Sequence, residues 1–302
     1  MLPKIATPTV SIHPPKTLKP QTREEFGYFL AGLIDSDGHI SKPGYVQIDF
    51  NVNEINVAYY IKSMIGYGKV TQEEKRFSVR YRCTPIQGLS IISDLIRDKL
   101  KHLDKINQFN TRLVPKLCLE TTLKLNCNPT VYKDNNLLEN HWLAGFIQGD
   151  GSLLIFQCKV PGKTCLKTTL SLNISQKTGH LLKLIKVEVG GHVGYRKKQN
   201  TYYYLSNSFT NAAKFIHYLD KFQLMGNKLT QYWVWREAYL ICQNKHHLTH
   251  EGEIKIALKK EKLFQMRRNE TDTLSKEARD YRLQAKLERK AKRQVRLIID
   301  SN

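Results

Sequence analysis

Two aspartates, Asp37 and Asp150, each stand directly before a glycine at the end of a short apolar run. The two runs are closely similar, since residues 30–38 read LAGLIDSDG and residues 143–151 read LAGFIQGDG. Carboxylate oxygens are preferred ligands of Mg²⁺, and a bound divalent cation can polarise a phosphate group toward hydrolysis. Two such acids, one in each half of a repeated sequence, predict metal-dependent cleavage of a phosphodiester.

Each motif is predicted to form the helix that positions its aspartate. In the first motif Gly32 and Ser36 stand four residues apart and therefore share one helix face, and the second motif has glycine at both equivalent positions. Flat faces of this kind let two helix backbones approach closely. The packing would bring Asp37 and Asp150 together at the helix C-termini, where the helix dipoles and the like charges destabilise both carboxylates. A cation bound between them would offset this repulsion.

A single motif has a second interpretation, which is an amphipathic helix that ends in an ordinary Asp-Gly turn. Such turns are common in proteins of every function. The presence of two copies in the same sequence context favours the metal site.

The chain downstream of each motif is repeated as well. Alternating polar and apolar residues predict strands at 46–52 and 77–83 in the first half, and at 153–159, 168–175 and 201–207 in the second. Helical patterns lie between and after these strands. The sequence therefore predicts an α+β fold of two tandem αββαββα repeats. Their antiparallel sheets would form a pseudo-two-fold saddle, with a basic helical C-terminal tail.

Composition divides the chain into five segments. The N-terminal part contains five prolines and no acid, which argues against an amphipathic helix there. The predicted segments are a disordered leader (1–22), the first repeat (23–126), an Asn- and Pro-rich linker (127–140), the second repeat (141–245) and the basic helical tail (246–302).

The charge of the chain indicates a polyanionic partner. Its 48 lysines and arginines face 27 acids, which gives a net charge of +21, and only part of this excess lies after Glu251. Nucleic acid is the partner class that such a surface favours. No apolar run approaches the ~20 residues of a membrane-spanning helix, which argues against a membrane protein. The six cysteines form no CxxC pair, which fits a reducing compartment.

Over about residues 24–243 the chain resembles the LAGLIDADG homing endonucleases, in their single-chain form with two motifs. The resemblance implies an intron-encoded, site-specific DNA endonuclease that requires Mg²⁺, with Mn²⁺ as a substitute, and promotes intron mobility. It further implies that Asp37 and Asp150 bind the metal and that the carbonyl groups of Ser36 and Gly149 assist them.

The resemblance also assigns roles to residues outside the motifs. Gln176 and Glu54 would orient water in the active site. Lys105 and Lys228 occupy matching places in the closing helices and would stabilise charge on the transition-state phosphate, although an ordinary phosphate contact is the alternative for each. The second motif departs from the first at Gln148, a position that does not bind metal in the family.

The polar strand faces are the predicted DNA-reading surface, because a β-ribbon can enter the major groove and present side chains to base edges. The two halves differ at these positions, so the target should be long and asymmetric. The predicted DNA contacts are Gln47, Asp49, Asn51, Ser78, Arg80, Arg82, Gln157, Lys159, Thr169, Ser171, Asn173, Arg196, Lys198 and Tyr202.

Two alternatives to a nuclease stay open from the sequence. An RNA maturase that assists splicing of its host intron, alone or in addition to DNA cleavage, would also use a basic surface. A DNA- or RNA-binding protein that no longer cuts is disfavoured by the retention of Asp37 and Asp150. Because one chain contains both motifs, we expect a monomer, located in an organelle and in the mitochondrion rather than the chloroplast.

Overall fold

The computed structural model describes residues 9–16, 19–73, 77–120, 125–133, 136–162 and 165–271. The remaining parts of the predicted leader and tail lie outside the described residues. The elements are α1 (Arg23–Asp37), β1 (Gly38–Ile40), β2 (Val46–Asn51), α2 (Ile55–Ile65), β3 (Lys69–Glu73), β4 (Ser78–Cys83), α3 (Ile86–Ile96), α4 (Leu103–Gln108), α5 (Val114–Cys118), α6 (Trp142–Asp150), β5 (Gly151–Cys158), β6 (Lys167–Gln176), α7 (His180–Val189), β7 (His192–Arg196), β8 (Thr201–Ser206), α8 (Phe209–Lys221), α9 (Gly226–Gln243) and α10 (His250–Thr271).

Each repeat builds one four-stranded antiparallel sheet. The strand orders are β1-β2-β4-β3 and β5-β6-β8-β7, so the two sheets have the same topology. Their registers also correspond: Gly38 lies opposite Ile48 in the first sheet, and Gly151 lies opposite Ile174 in the second. The predicted α+β fold of two αββαββα repeats is confirmed.

Alternation along the strands separates a core face from a polar face. In β2 the side chains of Val46, Ile48 and Phe50 are buried, whereas Gln47 and Asp49 between them point to the other face. This burial pattern follows from the two-residue period of a strand. The helices cover the apolar faces.

The start of α1 is fixed by a capping box. The Thr22 hydroxyl accepts the Glu25 backbone N–H at 3.1 Å, and the Glu25 carboxylate accepts the Thr22 backbone N–H at 3.2 Å. These two bonds satisfy N–H groups that a helix start leaves without partners. The helix therefore begins at a defined residue and ends at Asp37, directly before Gly38.

The two motif helices, α1 and α6, pack backbone against backbone. A Cβ atom built on Gly32 would lie 1.9 Å from the carbonyl oxygen of Trp142, and one on Gly145 would lie 2.0 Å from that of Phe29. No side chain fits at such distances, so only glycine permits this approach. The small residues spaced four apart account for the contact.

The N-terminal segment is ordered where the structure describes it, so the prediction of a disordered leader is wrong for those residues. Val10 is buried, its N–H donates to Gln243 Oε1 at 2.8 Å, and its carbonyl accepts Gln243 Nε2 at 2.8 Å. Arg236 donates to the Ser11 carbonyl at 2.8 Å. Side chains of α9 thus bind backbone groups of this segment.

We expect Gln243→Ala to release this segment. The substitution removes both hydrogen bonds to Val10 and should lower the free energy of unfolding by about 1–2 kcal/mol. Urea unfolding would measure the loss, and limited proteolysis should show new cleavage within residues 9–16. Gln87→Ala, at an exposed position of α3, is the matched control. Unchanged proteolysis of the Gln243 variant would show that the hydrogen bonds to Val10 do not hold this segment in place.

The described part of the tail is one helix that packs on the second repeat. Ile256 and Leu263 of α10 are buried, and the carbonyl of Glu253 accepts Gln157 Nε2 at 3.2 Å. The predicted basic tail is thus helical over 250–271, and residues 272–302 lie outside the described residues. Among the helices that the structure describes, none is long and apolar enough to cross a membrane.

Candidate active site between the motif helices

Asp37 and Asp150 end the two motif helices and lie close together. A Cβ atom on Gly149 would lie 2.8 Å from Asp37 Oδ2, so the first carboxylate reaches the last turn of the opposite helix. Gln176, at the end of β6, donates its amide N–H to Asp150 Oδ2. The helix packing therefore places two carboxylates, one from each repeat, in a single site.

The surroundings of the two acids raise their pKa values. Removal from bulk water is the largest cause, and it raises the pKa of Asp37 to about 6 and that of Asp150 to about 7. The Asp37 charge raises the pKa of Asp150 further, whereas Lys228 and Lys105 lower the pKa of both acids. Asp37 is exposed as a whole residue, whereas its carboxylate lies against Gly149 in the last turn of α6. Two carboxylates that resist ionisation are ones that a divalent cation would stabilise.

Two open cavities flank this pair, of about 460 and 300 Å³. Since a water molecule takes up roughly 30 Å³ in the liquid, each cavity can hold a phosphate group with several waters. The smaller cavity is lined by Asp37, Glu54, Gly149 and Lys228 among others. We call it the Asp37 cavity.

The larger cavity, here the Asp150 cavity, is lined by Asp150, Gln176, Ser36, Lys105 and further residues. Each cavity thus combines the aspartate and sheet of one repeat with a lysine of the other repeat. Lys105 donates its ammonium to the Gly38 carbonyl, directly after the first motif aspartate. The closing lysines are therefore shared between the repeats in a crossed arrangement.

Lys228 mirrors Lys105 in the second repeat. Its Nζ donates to the Gly151 carbonyl oxygen at 2.7 Å, directly after the second motif aspartate. The ammonium group lines the Asp37 cavity. A positive charge so placed would stabilise negative charge that develops on a phosphate there.

Gln176 and Glu54 were matched as counterparts in the two repeats and both predicted to orient water, but the register does not place them at equivalent positions. Because Ile48 corresponds to Ile174, Gln176 corresponds to Phe50. Glu54 lies beyond β2, is 5% exposed, and accepts the backbone N–H of Lys228 at 2.9 Å. Its carboxylate thus binds the start of α9 in the other repeat.

Asp35 has a role that the sequence did not reveal. It is buried between the repeats and accepts the backbone N–H groups of Lys101 at 2.7 Å and His102 at 3.2 Å, together with Trp142 Nε1 at 2.8 Å. Burial raises the pKa of Asp35 to about 7, although these donors lower it. Asp35 therefore anchors the start of α4. The only sequence signal was the change at the equivalent position, Gln148.

The donor set fits a hard cation that shares its ligands with a substrate. The two carboxylates and the backbone carbonyls of Ser36 and Gly149 are oxygen donors, which suit Mg²⁺ or Ca²⁺. The described residues contain no group of three or more His, Cys, Asp or Glu side chains arranged to hold a metal. Asp37 and Asp150 alone would leave coordination positions for phosphate oxygens and water, as is usual for Mg²⁺ in phosphoryl sites.

In the first repeat the predicted DNA contacts share the polar face of the sheet. They pair across the strands, Gln47 with Arg82, Asp49 with Arg80 and Asn51 with Ser78. Arg80 donates to Asp49 Oδ1 at 2.6 Å and pairs with Glu73 at 2.9 Å, and Arg82 donates to Gln47 Oε1 at 2.9 Å. These side chains are held in position before any partner binds.

In the second repeat, Thr169, Asn173 and Arg196 lie on the polar face, while Lys159 and Lys198 are exposed next to strand ends. Sequence reasoning missed two polar-face neighbours of Arg196. Its guanidinium donates to Ser175 Oγ at 2.9 Å and lies 4.5 Å from the centre of the Tyr203 ring.

Three predicted DNA contacts in the second repeat are corrected. Gln157 alternates onto the core side and donates to α10. Tyr202 shares the face of Tyr204 rather than that of Tyr203, and its ring lies 4.9 Å from that of Tyr195. Ser171 is completely buried and donates to Asn207 Oδ1 at 2.8 Å. Gln157 and Tyr202 therefore lie on the core face, and Ser171 lies on the polar face of β6 but has no exposed surface.

Comparison with known sequences agrees with this arrangement. The LAGLIDADG endonuclease family matches residues 143–239. An uncharacterized cox1 intron-2 37.2 kDa protein of Schizosaccharomyces pombe is 41% identical over 253 residues, which cover 82% of this chain and 76% of that protein. Two further relatives, an intron-encoded RNA maturase bI4 of Saccharomyces cerevisiae and a probable intron-encoded endonuclease 4 of Neurospora crassa, are each 24% identical. The chain spans 26% and 41% of their lengths.

Solved structures share the fold. The LAGLIDADG meganuclease I-AabMI, crystallised with uncleaved DNA, superposes with a TM-score of 0.64 at 20% identity, over 78% of this chain and 98% of that one. The meganuclease I-SmaMI, bound to DNA with a TTGT central four, gives a TM-score of 0.58 at 21% identity, over 78% and 97%. At these identities the likeness shows the architecture.

Proposed function

Because the chain belongs to the LAGLIDADG endonuclease family, we propose that it is a site-specific, Mg²⁺-dependent endonuclease that cuts both strands of duplex DNA. The observation that carries this proposal is the convergence of Asp37 and Asp150, with Lys105 and Lys228 in the two flanking cavities. Two cavities related by a pseudo-two-fold axis match the two antiparallel strands of a duplex.

In this proposal Asp37 and Asp150 hold the cation with help from the carbonyls of Ser36 and Gly149. When bound, the cation supplies Lewis-acid polarisation of the scissile phosphates. The protein does the positioning: Gln176 fixes the Asp150 carboxylate through its amide N–H and leaves its amide oxygen to accept from a water molecule.

One of the two closing lysines lines each of the two cavities. Lys228 and Lys105 each anchor one N–H on a backbone carbonyl and present positive charge to a cavity. That charge stabilises the phosphate as it becomes more negative in the transition state. Each lysine therefore serves one strand.

The duplex would lie across the two polar sheet faces, whose charges differ. In the first repeat Asp49, Arg80 and Glu73 form one cluster with a net negative charge. By the shared register, Ser175 stands in place of Asp49 and Arg196 in place of Glu73. Different side chains at equivalent positions favour different bases, so we propose a long asymmetric target.

The gene setting is part of the proposal. A relative is named for a cox1 intron, and cox1 belongs to the mitochondrial genome. We therefore infer an intron-encoded, mitochondrial protein whose cleavage of the intronless site promotes intron spread. Both motifs lie in one chain and pack against each other, which supports action as a monomer.

We expect the affinity for divalent cations to rise with pH. Without a cation, the raised pKa values of about 6 and about 7 favour the protonated carboxylates, and a cation must displace those protons. Calorimetric titration with Ca²⁺ from about pH 5 to about pH 8 should show binding that strengthens up to about pH 7 and then levels off. Affinity that stays constant over this range would contradict the assignment.

The same pKa values predict that Asp150→Asn stabilises the metal-free protein at pH ~8. A carboxyl whose folded pKa exceeds its unfolded value binds more protons when folded, so its contribution to stability falls as pH rises from about 4 to about 7. Asparagine has no such loss. Thermal unfolding in EDTA would compare the two proteins, and Asp94→Asn on the surface of α3 serves as control. A lower melting temperature for Asp150→Asn than for the unaltered protein would contradict the predicted stabilisation.

A plasmid assay tests the proposed function directly. One plasmid carries the cox1 sequence that spans the insertion site of the second intron, without the intron. A second set of plasmids carries a library of randomised sequences. Each substrate is incubated with the full chain and Mg²⁺. We expect linear products cut at one site, and sequencing of the ends would define it. Absence of cutting on every substrate, with either Mg²⁺ or Mn²⁺, would contradict the proposal.

An RNA maturase is the second candidate. It is supported by the similarity to the intron-encoded RNA maturase bI4 over 59% of this chain and by the net charge of +21. Splicing of the host intron RNA, measured with and without the protein, tests it. Faster splicing together with absent DNA cleavage would make the maturase role the principal one.

A further inference from the structure

A contact between the repeats holds the start of α9. Glu54, from the first repeat, places Oε1 2.9 Å from the backbone nitrogen of Lys228 and Oε2 3.4 Å from Gln148 Nε2. A Cβ atom on Gly226 would lie 2.2 Å from Glu54 Oε2, so the carboxylate fills the space at the helix terminus. Free N–H groups and the helix dipole stabilise a negative charge there.

This contact fixes the backbone of Lys228, whose side chain lines the Asp37 cavity. Lys228 is the third residue of α9, and its side chain reaches Gly151 at 2.7 Å. Glu54 fixes its backbone and Gly151 fixes its ammonium group. The orientation of this lysine therefore depends on both repeats at once.

The departure of the second motif from the first fits this contact. Gln148 Oε1 accepts the backbone N–H of Met225 at 2.9 Å, while its amide group donates to Glu54. An aspartate at 148, as at the equivalent Asp35, would place a second carboxylate against Glu54 and repel it. The amide and the carboxylate are therefore a matched pair.

The contact from the second repeat to the start of α4, which carries Lys105, is different. There Thr178 Oγ1 lies 3.3 Å from His102 Nε2, at the start of α4. The carboxylate that holds the start of α4 is Asp35 of the same repeat, which accepts the backbone N–H groups of Lys101 and His102. The backbone N–H of Lys105 donates to the His102 carbonyl, whereas that of Lys228 donates to a carboxylate of the other repeat, so the two lysines are positioned by unequal contacts.

We propose that Glu54 is a positioning residue, with Gln148 as its partner, which orients Lys228 for hydrolysis of one strand only. The inference rests on the proposed nuclease function. Glu54 belongs to one repeat and Lys228 to the other, so the contact also couples the two halves of the site.

Strand-resolved cleavage tests the proposal. Each strand of a duplex target carries its own fluorescent label, and single-turnover rates are measured with the full chain and Mg²⁺. Lys228→Ala and Lys105→Ala identify which strand each cavity serves. Glu54→Ala should slow the Lys228 strand by roughly 10- to 100-fold, because small displacements of a positioned group cost this much. The other strand should stay within about threefold.

A rescue experiment separates positioning from loss of folding. Glu54→Gln alone sets two amides against each other and should slow the same strand. Glu54→Gln combined with Gln148→Glu restores one amide and one carboxylate, and we expect recovery to within about threefold of the unaltered rate. Glu188→Gln, on α7 away from the interface, is the matched control for the substitution.

Each outcome decides between defined possibilities. Equal slowing of both strands, or failure of the exchanged pair to recover, would overturn the positioning role and leave a purely structural one. Unchanged rates in Glu54→Ala would overturn it as well. If the unaltered chain cuts neither strand, the proposed function fails first, and this inference falls with it.

Discussion

Asp37→Asn and Asp150→Asn should each lower the rate of DNA cleavage by about 10³-fold or more, equivalent to roughly 4 kcal/mol of transition-state stabilisation. Asparagine keeps the size of the side chain and removes the charge that holds a cation. The two carboxylates lie in one site and interact directly. Loss of one should therefore impair both strands, unlike the loss of a single lysine.

Single-turnover cleavage in Mg²⁺ measures this effect, and DNA binding in Ca²⁺ shows whether the variants still dock. We expect binding to change little, because these acids contribute no positive charge to the interface. Asp94→Asn, which removes an exposed carboxylate of α3, is the control. Cleavage by Asp37→Asn at the unaltered rate would refute its role as a metal ligand.

The second large effect concerns the helix interface. Gly145→Ala would force a Cβ to within 2.0 Å of the Phe29 carbonyl oxygen, and Gly32→Ala would force one to within 1.9 Å of the Trp142 carbonyl oxygen. The obstructing atoms belong to backbone, so the helices must separate. We expect each variant to lose about 3 kcal/mol of stability or more, at the upper end for overpacked cores.

Urea unfolding tests this loss, and cleavage assays of the folded fraction should show reduced activity because the two aspartates move apart. Gly179→Ala is the matched control, since its Cβ would meet only the movable Tyr202 ring at 3.0 Å. That change should cost less than about 1 kcal/mol. Equal stability of Gly145→Ala and Gly179→Ala would contradict the close backbone packing.

The repeated α+β units and the pairing of the motif helices could be predicted because they depend on local periodicity and on the repeat, whereas the strand order came only from the structure. It was harder to predict which strand residues lie on the polar face and which on the core face. In β8 three consecutive tyrosines leave the alternation undefined, so Tyr202 was predicted to lie on the polar face, where the register places Tyr203. Gln157 was predicted as a polar-face residue, but the register places it on the core face, where it donates to the Glu253 carbonyl of α10.

Long-range contacts account for the remaining differences. The prolines near Val10 correctly indicated a segment without a helix, but its order comes from Gln243, 233 residues away. Glu54 was selected as a site residue, whereas its partners lie in the other repeat. Such pairings depend on how the two halves dock, which no local pattern encodes.

The crossed placement of the lysines has an evolutionary consequence. One repeat alone supplies an aspartate to one cavity and a lysine to the other, so an ancestral single-repeat protein could have completed a site only as a pair of identical chains. The Glu54 and Gln148 contact spans the two repeats, so a change at one of these residues favours a matching change at the other. A chimera that joins the first repeat of one relative to the second repeat of another should therefore work best when its residues at positions 54 and 148 form a matched carboxylate and amide.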